Sequence, residues 1–121
     1  MSKSHRASAD DLTPLPPAVF HILISLADGE RHGYALKREI AQRTAGKITL
    51  GPGVLYGSIA KMLDQGLIEE SAERPDPHLD DERRRYYKLT TFGRRVAHAE
   101  AARMRDLVSL AAARLGAREP A

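Results

Sequence analysis

The stretch from Gly51 to Glu70, GPGVLYGSIAKMLDQGLIEE, limits the fold more than any other part of the chain. At about 100° per residue, Leu55, Ile59, Met62 and Leu63 fall in one stripe about 100° wide. Gly53, Val54, Gly57, Ala60, Lys61 and Asp64 lie around the other side. Such a helix buries one face and leaves the other almost bare of bulk. Gly66 ends it, and Leu67 and Ile68 then open a strand that enters the core. RPDPHLDDE cannot continue a central strand, because its prolines and aspartates mark a loop. RRRYYKLT returns as a second strand, so the two strands make a hairpin with a long tip.

Two more helices precede this unit. In LTPLPPAVFHILISLADG, Val19, Leu23 and Leu26 share a face, Pro16 or Pro17 suits the first turn, and Gly29 suits the exit. After ERHG, read as a connection, YALKREIAQRTAG places Leu36 and Ile40 on one side and stops at Gly46. KITL is short and β-branched, which suits a brief extended piece. From Thr91 the chain is helical again for about 24 residues. Val96, Met104, Leu107, Val108, Ala111 and Leu115 fall within an arc of about 120°. One small domain does not cover that much apolar length, so part of this helix is expected to meet another chain.

The expected architecture is therefore mainly α with a small β-hairpin: a winged helix-turn-helix at 13–90 and a long C-terminal helix at 91–115. Residues 1–12 and 116–121 are small, polar and without period, and read as unordered tails. The chain has 121 residues, the length of one domain. It has no cysteine, so disulfides and thiolate chemistry are excluded. It also has neither a signal-peptide core nor an apolar run long enough to span a membrane, and a cytoplasmic home is expected. No HExxH, phosphate-binding loop or GxSxG motif is present. The histidines at 5, 21, 32, 78 and 98 lack metal-ligand spacing. The reading is a non-enzyme without cofactor or metal.

The order helix, helix, helix, hairpin suits either a DNA-binding module or a protein-binding one. Small residues at Gly53, Gly57 and Ala60 permit close approach of the third helix to a duplex, and GPG leaves N–H groups at its start for a phosphate. Tyr56, Ser58 and Lys61 can meet phosphates or base edges. Arg83, Arg84, Arg85 and Lys88 would form a basic strip on the wing. Asp80, Asp81 and Glu82 immediately precede that strip and are positioned to neutralise part of it. A formal net charge of +3 is compatible with a polyanionic partner without requiring one.

RHGYALKREI, GPGVLYGSIAKMLDQGLIEE and DERRRYYKLTTFGRR resemble, in order and spacing, the signature segments of the PadR family of winged-helix transcriptional regulators. The resemblance covers about residues 12 to 115 and points to the compact subgroup with a single C-terminal helix. It implies a homodimer formed through that helix, facing a pseudo-palindromic operator in double-stranded DNA, and most often repression. It also implies that a small aromatic effector releases DNA in some members. The matching DNA-contacting positions are Tyr34 and Lys37 on helix two, Gly53, Val54, Tyr56, Ser58 and Lys61 on helix three, and Arg84, Arg85 and Lys88 on the wing. The dimer positions are Val96, Met104, Leu107, Val108, Ala111 and Leu115. Val54 stands where the family often has threonine, and Gly57 where it often has a basic residue, which shifts affinity toward Lys61 and the wing.

Overall fold

The computed structural model describes residues 8–71 and 85–116. A 3-10 turn, Ala9–Leu12, precedes α1 (Pro17–Ala27), β1 (Arg31–His32), α2 (Gly33–Arg43), α3 (Pro52–Asp64), β2 (Ile68–Glu70), β3 (Tyr86–Leu89) and α4 (Thr91–Leu115). Pro17 takes the first position of α1, where its missing N–H costs no hydrogen bond. The apolar faces of α1, α2 and α3 converge on one core, in which Ile22, Leu23, Leu36, Ile40, Met62 and Leu67 are fully buried. Ile68 and Tyr87 close that core from the sheet, and Val96 closes it from α4.

The sheet has three strands rather than the two of the expected hairpin, in the order β1-β3-β2, and both pairings are antiparallel. Ile68 faces Leu89 and Glu69 faces Lys88, while on the other edge Arg31 faces Tyr87 and His32 faces Tyr86. β1 comes from ERHG, which is too short to show any period. The Lys47–Leu50 segment, in contrast, forms no strand.

Helix ends follow local chemistry. At the end of α3 the Leu67 N–H donates to the Met62 carbonyl at 3.0 Å and the Gly66 N–H to Leu63 at 3.1 Å, with Gly66 at φ +77°. This is the Schellman pattern, with glycine in the left-handed position. α2 ends by the same pattern, but there the left-handed position falls on Ala45, at φ +54°, one residue before the glycine in the sequence. The Gly46 N–H donates to Ala41 at 2.7 Å and the Ala45 N–H to Gln42 at 3.2 Å.

The start of α4 is fastened to the end of α3. The Thr90 hydroxyl donates to the Gly66 carbonyl at 2.6 Å, with the Leu67 carbonyl also within reach at 3.0 Å, and it accepts the Gly93 N–H at 2.9 Å. Gly93 is pressed so closely on Leu67 that a Cβ there would collide with the Leu67 carbonyl. One turn further, Val96 is fully buried in the chain's own core. That corrects its expected place in a dimer interface: the first half of α4 is consumed by its own domain. The Ala9–Leu12 turn, expected to be part of an unordered tail, also lies against α4.

Two polar clusters brace the helices. Glu39 of α2 accepts from Arg31 of β1 at 2.7 Å and from Arg43 at 3.4 Å, and Arg43 reaches the buried Ser25 hydroxyl of α1 at 2.8 Å. Burial by itself pushes the Glu39 carboxyl up, yet hydrogen bonds from Arg31 and Ser25 and the charges of Arg31 and Arg43 leave it below its ordinary value. On α4, fully buried Glu100 accepts from Arg103 at 2.8 and 2.9 Å and from the Leu15 N–H at 3.3 Å. The Arg103 hydrogen bonds outweigh burial and hold the Glu100 carboxyl below the usual range.

A carboxyl depressed in the folded state stabilises the fold above its unfolded value, and that contribution is lost as pH falls through the folded value. Glu100→Ala should therefore cost about 1–3 kcal/mol at neutral pH, because it orphans a buried donor. Urea denaturation of variant and wild type should converge as acid protonates Glu100. Relief of the left-handed strain by Ala45→Gly should raise stability by about 1 kcal/mol in the same assay.

Candidate nucleic-acid interface

α3 presents the bare face expected of it. Gly53, Val54, Gly57, Ala60 and Lys61 are exposed, while Leu55, Ile59 and Met62 hold the opposite side in the core. Gly51 precedes the helix with no side chain capping it, and the first intrahelical bond runs from the Leu55 N–H to the Gly51 carbonyl at 2.9 Å. The Gly53 and Val54 N–H groups thus precede the hydrogen-bonded ladder, at the positive end of the helix dipole. A substituent at Gly53 or Gly57 would meet nothing within 4 Å. Their lack of side chains therefore serves no packing need inside the chain, and it lets a partner approach the backbone.

Tyr56 and Ser58 are half-buried on the flanks of α3. The Tyr56 ring lies over the start of α2, where a Cβ on Gly33 would sit 2.6 Å from its hydroxyl oxygen. Gly33 is thus the residue that lets the two helices of the turn close together. His32 caps α2 by accepting the Ala35 N–H at Nδ1, 3.1 Å away, and its ring meets Tyr86 of the wing edge-on at 5.3 Å. One histidine therefore joins the start of α2 to the wing.

On α2, Tyr34 is exposed and Lys37 half-buried. Sequence reasoning passed over Arg38, which is exposed and stacks its guanidinium 5.5 Å from the centroid of the Tyr34 ring. The signal that could have found it is the spacing of four residues between an aromatic and a cation, which meet on one helix face.

α3 passes through Gln65–Leu67 into β2, so the wing begins where the helix stops. Arg85 is exposed and Lys88 half-buried, and both have carboxylate partners across the hairpin. Arg85 lies 3.4 Å from Glu70 and Lys88 3.8 Å from Glu69. Neutralisation was expected from Asp80, Asp81 and Glu82, which with Arg83 and Arg84 lie outside the described residues. For Arg85 and Lys88 the neighbouring strand supplies it.

The second half of α4 forms a separate surface. Met104 is 38% exposed, Leu107 55%, Val108 66% and Leu115 79%, with Leu110 beside them at 48%. Ala111 is exposed on the same stretch. Among the described residues no helix is long and apolar enough to cross a membrane.

Residues 22–99 match the model of the transcriptional regulator PadR-like family, which covers more than half of the chain. A protein of the transposon TN4556 from Streptomyces fradiae, of unknown role and 37.1 kDa, is 36% identical over 86 residues. That match takes in 71% of this chain but 22% of the relative, so the chain spans about a fifth of that protein's length. A PadR family transcription regulator from Clostridium difficile has a similar fold, with a TM-score of 0.69 at 21% identity over 84% of this chain and 100% of that one. A probable transcriptional regulator from Pseudomonas aeruginosa superimposes with a TM-score of 0.63 at 26% identity, covering 87% of this chain and 70% of that one.

Proposed function

This chain belongs to the PadR-like family of transcriptional regulators, and we propose that it works as a homodimeric repressor that binds a pseudo-palindromic site in double-stranded DNA. Its family is one of regulators and not of enzymes. The observation that carries the DNA reading is the face of α3. Gly53, Gly57, Ala60 and Lys61, together with Val54 and Asp64, occupy the outward positions of a helix whose other side is locked in the core, so large side chains are few there. A helix entering the major groove needs that profile, because bulk on the outward face would hold the backbone away from base edges. A helix that bound an apolar protein groove would instead carry large anchors at that spacing, and there α3 offers Val54 alone.

In this reading α3 enters the groove, with Lys61 directed at base edges or phosphates and Ser58 and Tyr56 meeting the duplex from the flanks of the helix, Tyr56 from its place over the start of α2. Its N-terminal N–H groups at Gly53 and Val54 meet a backbone phosphate. Tyr34, Lys37 and Arg38 of α2 lie along the flanking backbone, and Arg84, Arg85 and Lys88 of the wing follow the next stretch of phosphates. Two such units are needed to read two half-sites. The uncovered apolar stretch of α4, Met104, Leu107, Val108, Ala111 and Leu115, supplies the contact between them. Repression follows from the simplest use of such a dimer, occupation of a site that a polymerase needs. A cytoplasmic location goes with that role.

The test is selection of a tight-binding duplex from a random pool, followed by titration of variants on it. Lys61→Ala should weaken binding about ten-fold. Leu107→Glu should give a folded monomer by sedimentation and lose tight binding to the paired half-sites while keeping weak binding to one. Failure to select any duplex, with the protein folded, would overturn the DNA reading, and a fully dimeric Leu107→Glu would overturn the interface.

A further inference from the structure

A wing that meets phosphate should be positive, yet its described part is not. Glu69 and Glu70 on β2 stand against Lys88 and Arg85 on and beside β3, two negative charges and two positive, which sum to zero. Glu69 is the register partner of Lys88, and Glu70 lies diagonally across from Arg85, beyond its own partner Tyr87. All four side chains are 45–57% exposed. Exposed pairs of this kind add little to stability, and glutamate is a poor strand former. Neither pair strength nor strand propensity therefore gives a reason for two adjacent glutamates here, although charge on an edge strand also discourages pairing with another chain.

DNA binding does give one. When a phosphate approaches Lys88 or Arg85, it must displace a carboxylate already in place. We infer that Glu69 and Glu70 are affinity-setting residues, and that the wing docks by exchanging internal ion pairs for phosphate contacts. The inference rests on the DNA-binding reading above.

Exchange has a signature that a simple cationic wing lacks. A free lysine that binds phosphate releases a cation condensed on the duplex, which makes affinity fall with salt. Here each freed carboxylate is left beside the phosphates and recruits a cation from solution. One cation is released and one is taken up, so the contact contributes little to the salt dependence. Sequence-independent attraction is damped, because it is almost wholly phosphate-driven. The side chains of α3 that face the bases are untouched, so base contacts carry a larger share of the binding.

The test is fluorescence anisotropy of a labelled random-sequence duplex with the full chain and its Glu69→Gln/Glu70→Gln variant, from 200 down to 50 mM salt. The variant should steepen the slope of log affinity against log salt by about one unit per carboxylate removed, a relative gain of roughly ten-fold over that range. Adding Arg85→Gln and Lys88→Gln should cancel the gain. Asp28→Asn/Asp106→Asn, with the same change in net charge elsewhere on the surface, should not reproduce it. A Glu69→Gln/Glu70→Gln variant that keeps the wild-type slope and affinity overturns the exchange, as does an equal effect from the control. Wild type that binds no duplex in a salt-dependent way overturns the DNA reading itself, and the exchange with it.

Discussion

The junction of Thr90 and Gly93 with Gly66 and Leu67 is the constraint on which the rest of the molecule depends. One threonine side chain caps α4 and holds the turn that leaves α3. One glycine allows the two backbones to approach more closely than any other residue would permit. Because β2 leaves from the same turn and β3 enters α4 through Thr90, this contact fixes three things together. It sets where α3 stops, how the wing hangs from it, and the direction in which α4 departs.

Departure from that point divides α4 by function. Gly93, Val96 and Glu100 are spent on the chain's own core. Beyond Arg103 the large apolar residues of the helix are open to solvent among the described residues. A buried carboxylate marks the boundary. Glu100 is held there by Arg103 on one side and by the Leu15 N–H on the other, which ties the segment before α1 to the middle of α4. In the proposed dimer this brace helps to set the spacing of the two α3 helices, since it ties the segment before α1 to the helix that carries the exposed apolar stretch.

The sequence made the helices legible because their apolar residues recur at helical spacing and their ends carry proline or glycine. The core stripe of α3 and its bare opposite face needed only the 3.6-residue period. What escaped was structure without period. β1 is two residues long and exists because Arg31 and His32 find β3 at the free edge of the hairpin. The apolar arc of α4 looked like one interface from Val96 to Leu115, since periodicity reports which residues are apolar and not which partner covers them. The left-handed position at Ala45 escaped because alanine carries no signal for it, while Gly46, where the helix was expected to stop, is left-handed as well. Among the candidate contacts, the outward residues of α3 could be assigned from pattern alone. The pairing of Arg85 and Lys88 could not, because it depends on strand register.

The account stands or falls on α3 entering the major groove of DNA, twice, in a symmetric complex. Hydroxyl-radical footprinting of the tightest selected duplex measures this most directly. The account predicts two protected stretches on one face of the helix, related by a two-fold axis, with centres one helical turn or a whole multiple of it apart, about 34–36 Å per turn. Protection of a single stretch, or uniform protection without that spacing, would contradict it.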